Sequence, residues 1–280
     1  MPHLERPNGI ELHWEERGDG PPLVLAPYWS GHPGVYEALL ADLASDHRVV
    51  TWDARGTGES TPAGPYDMET DCSDLEAILE AARRPPRGDG RAAAVIAIAD
   101  GANRAVHVAA GRPELVAAVI AFGTGPLARI HLEGSEGMVA SDTVVGAFIE
   151  MLDRDYRGAL RSLLSATNTQ MSDAELRERV GRQISYCPQE PAAARVRAWA
   201  ADDPTAASQE TGGRLWILSA PDVAGPWLPP EDERRRLIET LTPKAHVEEG
   251  EAGAGPISQP GVAAATIRRI TESLRLESSR

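Results

Sequence analysis

Cysteine is nearly absent: the 280 residues hold only Cys72 and Cys187, far apart and in no CxxC spacing. That excludes a disulfide framework or a thiolate metal site and leaves two ordinary thiols. Positive charge is also short, with 28 Lys and Arg against 42 Asp and Glu, a net charge of −14 and a pI near 5.0. Such a molecule repels phosphate backbones and anionic lipid, so neither nucleic acid nor a membrane is an expected partner. Long apolar runs are missing too. Nothing approaches the ~18 residues of a membrane span, and Met1-Pro2-His3-Leu4-Glu5-Arg6-Pro7 lacks the apolar core of a signal peptide. A cytoplasmic location is the expectation. What is present, 42% hydrophobic and 25% charged residues, is ordinary for a globular chain.

The local patterns carry the fold. Gly9 to Arg17 alternates, with Ile10, Leu12 and Trp14 on one face and Glu11, His13 and Glu15 on the other, and ends at Gly18-Asp19-Gly20. This predicts an antiparallel edge strand and a turn. Short runs apolar on both faces follow at Pro22–Ala26, Val49–Trp52, Ala94–Ile98, Val119–Phe122 and Leu215–Leu218, as strands buried in a parallel sheet require. Helical patterns lie between them, at Val35–Leu43, Cys72–Ala82 and Ala102–Ala110, with a last one at Val262–Leu274. The alternation predicts an α/β, doubly wound, mostly parallel sheet.

From about Thr124 to Gly213 the signals turn helical: Val144–Leu164, a Ser172-Asp173-Ala174-Glu175 capping box, and Ala192–Ala201. The expected organisation is a core of residues 1–123 and 214–280 with a helical cap, 124–213, inserted in it. The cap's apolar stripe, including Val145, Phe148, Ile149 and Leu152, must bury against something, and the open end of the sheet is nearest.

The segment Thr51-Trp52-Asp53-Ala54-Arg55-Gly56-Thr57-Gly58-Glu59-Ser60 resembles the D-x-R-G-x-G-x-S turn of α/β-hydrolases of the esterase and epoxide-hydrolase type. The resemblance runs from Gly9 to about Leu274, matching in the cap only by type, and implies the α/β-hydrolase fold. Asp53 and Arg55 are assigned to structure, satisfying buried backbone groups. The family carries G-x-S-x-G at a strained strand-to-helix elbow. Here the matching stretch is Ala97-Ile98-Ala99-Asp100-Gly101-Ala102, with small residues at Ala97 and Gly101, so Ala99 stands where the resemblance calls for serine. A one-residue shift would instead make Asp100 a nucleophile, but it puts the β-branched Ile98 two residues ahead of the turn, where glycine or alanine is wanted. The family's histidine, in a loop before the last helix, aligns with Ala254. Asp222, after Leu215–Ser219, fits the acid position, and Pro27-Tyr28-Trp29-Ser30-Gly31-His32 fits the oxyanion loop, in which Trp29 would supply an N–H.

A degenerate triad disfavours a serine–histidine acyl-enzyme. A pocket of backbone donors with Tyr28, Trp29, Asn103 and Trp227, and with Asp100, Asp222 and His32 to move protons, suits cyclisation, elimination or isomerisation of an apolar or aromatic small molecule. Two rival readings stay open: a hydrolase with Asp100 as covalent nucleophile, and a non-catalytic binding protein. His107 is expected off the packed face of its helix, in solvent. No cofactor and no metal are expected, and a homodimer stays open.

Overall fold

The computed structural model describes residues 3–123, 125–126, 141–167, 171–218, 231–248 and 255–278. Among them eight strands form one sheet in the order β1-β2-β4-β3-β5-β6-β7-β8. The strands are β1 (His3–Arg6), β2 (Ile10–Arg17), β3 (Pro22–Ala26), β4 (Arg48–Trp52), β5 (Ala93–Ile98), β6 (Val116–Phe122), β7 (Leu215–Leu218) and β8 (His246–Glu248). β1 pairs antiparallel with β2 and β2 with β4, and every other pairing is parallel. The strand expected at the sheet's edge is thus one position in, because His3–Arg6 covers its outer side.

Period-two alternation sorts side chains onto the two faces. Along β5, Ala93, Val95 and Ala97 enter one apolar cluster while Ala94, Ile96 and Ile98 enter the other. Helices α2 (Met68–Arg83) and α3 (Gly101–Gly111) cover the first face, and α1 (Glu37–Leu43) and the last helix, α10 (Pro260–Ser278), the second. Asp67 caps α2 by accepting from Thr70 N–H at 2.7 Å.

Between β6 and β7 lie α4 (Ser141–Arg154), α5 (Tyr156–Thr167), α6 (Asp173–Tyr186), α7 (Gln189–Ala201) and α8 (Thr205–Thr211); α9 (Glu231–Leu241) follows β7. The single helix expected over Val144–Leu164 is two. Asp155 breaks it, its carboxylate accepting from Gly158 N–H at 2.9 Å in the manner of an N-cap. The capping box at α6 forms in both directions: Ser172 Oγ accepts from Glu175 N–H and Glu175 from Ser172 N–H. Phe148, Leu152, Leu160, Leu176 and Val196 close a third apolar cluster with Trp29 from the loop after β3. No helix among the described residues is long and apolar enough to cross a membrane.

Candidate active site

β5 ends at Ile98, α3 begins at Gly101, and the chain turns in the two residues between. Ala99 makes the turn with φ +47°, one of two non-glycine residues among those described in the left-handed region, where an L side chain costs about 1–2 kcal/mol. Asp100 is already right-handed helical, at φ −62° and ψ −13°. Gly101 is pressed against the end of β3, where a Cβ would stand 2.5 Å from the Ala26 carbonyl oxygen. The turn is pinned by Ala99 N–H to Phe122 O (3.1 Å) and Ala102 N–H to Ala99 O (3.0 Å).

Asp100 has both carboxylate oxygens engaged. Trp29 N–H donates to Oδ1 at 3.0 Å, and Arg104, one helical turn on, donates from Nη2 to Oδ2 at 2.6 Å. Burial pushes the Asp100 carboxyl above the usual carboxylate range, against the lowering pull of Arg104 and Trp29. The N–H that the sequence offers as an oxyanion donor is therefore turned onto the chain's own carboxylate.

Arg104 opens a buried ionic network. It donates to Asp71 Oδ2 at 3.3 Å, and Asp71 also takes Arg195 Nε at 2.8 Å and Nη2 at 3.2 Å. Arg195 crosses from α7 and donates to the Arg55 carbonyl at 2.7 Å. Arg55 forks onto Asp74 at 2.7 and 2.8 Å, and Arg6 from β1 meets Asp74 at 3.0 Å. Asp74 is 0% exposed, and Asp71, Arg104 and Arg195 are 3% exposed. Burial alone would raise the Asp71 carboxyl, but Arg195 and Arg104 overcome it and hold it below the usual range. Arg55 thus partners a carboxylate, not the backbone group expected of it; its own carbonyl is what meets α7.

Other candidates fall as follows. His32 is exposed; its Nδ1 accepts from Gly34 N–H at 2.8 Å and its ring meets Tyr186 edge-on at 4.5 Å. Tyr28 is half-buried beside Ser30 and Gln183, and burial raises its hydroxyl. Trp29 packs edge-on against Phe148, with ring centres 6.1 Å apart. Asn103 is fully buried and donates to Asp202 Oδ2 at 2.9 Å. His107 is not free in solvent: its Nε2 lies 2.9 Å from Asp202 Oδ1, so α3 and the end of α7 share a carboxylate. The structure thus brings Trp29 and Asp100 together, joins Asn103 to His107 through Asp202, and sets His32 apart as a turn cap. Asp222, Trp227 and Ala254 lie outside the described residues. No cluster of three or more acidic, histidine or cysteine side chains suited to a metal occurs among the described residues.

No protein-family model matches the chain. Among curated proteins it is 28% identical over 169 residues to the pimeloyl-[acyl-carrier protein] methyl ester esterase of Nitrosomonas europaea, covering 60% of this chain and 61% of that protein. A solved bromoperoxidase from Bacillus anthracis superposes with a TM-score of 0.73 at 18% identity, over 95% of this chain and 96% of that one. An esterase from Exiguobacterium antarcticum gives 0.74 at 14% identity, over 98% of each. The chain has the α/β-hydrolase fold.

Within this α/β-hydrolase fold, local windows overlooked the charged network and one further cluster. His13 was expected on the polar face of β2 with Glu11 and Glu15, yet it is 7% exposed and sets Nδ1 3.1 Å from Asp53 Oδ2. Asp53 also accepts from Tyr186 OH at 2.8 Å and Glu59 N–H at 2.9 Å. The available signal was the i, i+3 placing of Asp71 and Asp74 on the same helix face as Leu75 and Ile78, where two carboxylates demand cations.

Proposed function

We propose that this α/β-hydrolase-fold chain is an enzyme that does not hydrolyse, and that it performs proton-transfer chemistry of the cyclase, lyase or isomerase kind on a small apolar compound held under the inserted helices. The observation that carries this reading is the backbone of Ala99. A non-glycine residue is held at φ +47° between β5 and α3, with the required glycine two positions on and Ala97 two positions back. That is the conformation of an elbow built to present a side chain, and the side chain is a methyl group. The curated relative named above is an esterase by name; ester hydrolysis through an acyl-enzyme needs an attacking atom that Ala99 lacks.

Asp100 is the acid–base group in this reading, its carboxyl raised above the usual carboxylate range by burial. When it takes a proton its hold on Trp29 N–H weakens, and that donor turns to an oxygen of the bound compound. Asp222 and the aromatic Trp227 enter from the sequence alone. Asp100 is a poor covalent nucleophile in this arrangement, since it sits past the turn and its oxygens are committed to Arg104 and Trp29. The same ion pair favours a second reading, a binding protein in which Asp100 is a fixed counter-ion and no conversion occurs.

The test compares four proteins on p-nitrophenyl esters and a fluorophosphonate probe: wild type, Ala99→Ser, Asp100→Asn, and the double variant Ala99→Ser with Ala254→His. The wild type is expected to give no burst and no adduct, and the double variant to gain slow hydrolysis. Wild-type turnover abolished by Asp100→Asn would overturn the reading in favour of the aspartyl nucleophile. A compound that co-purifies and is released unchanged would favour the binding protein.

A further inference from the structure

Between β2, the loop after β3 and the end of α6 lies an open cleft of about 800 Å³ whose lining includes His13, Glu15, His32, Asp53, Glu59 and Tyr186. Ala99, Asp100 and Trp29 are not part of that lining. His13 is the unusual member. Three donors converge on Asp53: His13 Nδ1, Tyr186 OH and Glu59 N–H. Burial and the nearby Asp53 charge push the Tyr186 hydroxyl well above its ordinary value, so it remains a donor. A carboxylate so surrounded accepts from every neighbour, which places the imidazole proton on Nδ1 and leaves Nε2 a bare acceptor.

That Nε2 is removed from water and has no hydrogen-bond partner among the described residues, while the His13 side chain is only 9% exposed. Glu15 Oε1 lies 3.8 Å from it, too far for a hydrogen bond, on a side chain 56% exposed. A buried imidazole held in one tautomer with an unfilled acceptor is a group prepared for a donor that has yet to arrive. The rest of the lining says which donor. The two cations are already spent: Arg17 pairs with Glu37 at 2.7 Å, and Arg87 with Glu16 and Asp19 at 3.2 and 3.1 Å. Glu15 and Glu59 have no Lys or Arg partner among the described residues. The Tyr186 ring, met edge-on by His32, supplies an aromatic wall.

We propose that this cleft is a second small-molecule site, for a compound with a primary ammonium group on a flat apolar body, in which His13 Nε2 and the Glu15 and Glu59 carboxylates receive the N–H donors. Glu15 swings outward as the ammonium enters, and Asp53 keeps the imidazole from turning away. The site is separate from the elbow, so its failure leaves the reading of Ala99 untouched.

Phenethylamine is the probe, with phenethyl alcohol and phenylacetate as neutral and anionic counterparts. Calorimetry on the full chain near neutral pH is expected to show saturable, millimolar or tighter binding of the amine alone. Glu15→Gln, at an exposed position that folding does not need, weakens it by about tenfold. Nitrogen-15 spectra of the His13 ring carry the second readout, which needs no substitution: the proton sits on Nδ1 in the free protein, and the Nε2 resonance moves on adding amine. No saturable binding, equal binding of the alcohol, an affinity indifferent to Glu15→Gln, or a proton found on Nε2 in the free protein would each overturn the proposal.

Discussion

Replacing Asp71 with alanine removes one side chain that two buried arginines share. Asp71 takes two hydrogen bonds from Arg195 and one from Arg104, and all three side chains are at most 4% exposed. The loss leaves the buried Arg195 guanidinium with the Arg55 carbonyl and no carboxylate, while Arg104 keeps Asp100. Breaking a buried pair in this way costs about 3–5 kcal/mol, because the surviving charge keeps its desolvation penalty. At roughly 2–4 °C per kcal/mol for a domain of about this size, Tm falls by about 6–20 °C. Urea unfolding at neutral pH measures the same loss, with Arg182→Ala as control, since its Glu178 pair is 71% and 66% exposed and contributes little. The pH dependence adds a sign. Folded Asp71 binds its proton less tightly than an unfolded aspartate does, so its stabilisation is complete above about pH 4. It drains away as pH falls through the lower folded value. The difference between wild type and variant should be flat from about pH 6 to 8 and shrink toward about pH 3. A loss below about 1 kcal/mol, or a gap that widens on acidification, would refute the account of the network.

Three smaller experiments bear on the elbow and the interior. Ala99→Gly relieves the left-handed backbone and is expected to stabilise the fold by about 0.5–1 kcal/mol in urea melts, after the extra entropy of unfolded glycine is deducted. Gly101→Ala drives a Cβ to 2.5 Å from the Ala26 carbonyl and should cost 2 kcal/mol or more, about the penalty of backbone overpacking, seen as a lowered Tm. Burial pushes the thiols of Cys72 and Cys187 up to about 12, so both should resist a thiol-titrating disulfide reagent at pH near 8 and react at once in denaturant.

The sheet was legible because its strands are buried on both faces: Ala93–Ile98 and Val116–Phe122 could not sit at a surface, and their spacing left room for one helix each. β1 was not, since His3–Arg6 is four half-exposed residues with no apolar face to advertise it. The elbow's register was readable from Gly101, where glycine answers a backbone contact and not a preference of composition. Its surroundings were hidden for another reason. Arg104 lies between Ala102 and Ala105 on α3 and is buried with them, paired with Asp71, 33 positions away. Windows of a dozen residues count such an arginine as surface. His107 and His13 were misplaced in the same way, by partners that only the tertiary fold supplies.

The polar ties decide which joints of the inserted helices are costly to open. Tyr186 on Asp53, Arg195 on Asp71, and Asp202 on Asn103 and His107 fasten one flank of the inserted helices to the end of β4, to α2 and to α3. Lifting that flank would tear charges from their counter-ions. The loop after β3 is met partly through hydrocarbon, where Phe148 leans on Trp29, and partly through the hydrogen bond from Gln183 to Ser30. A larger ring planted at Phe148 would therefore disturb its packing on Trp29 and leave those charged ties in place.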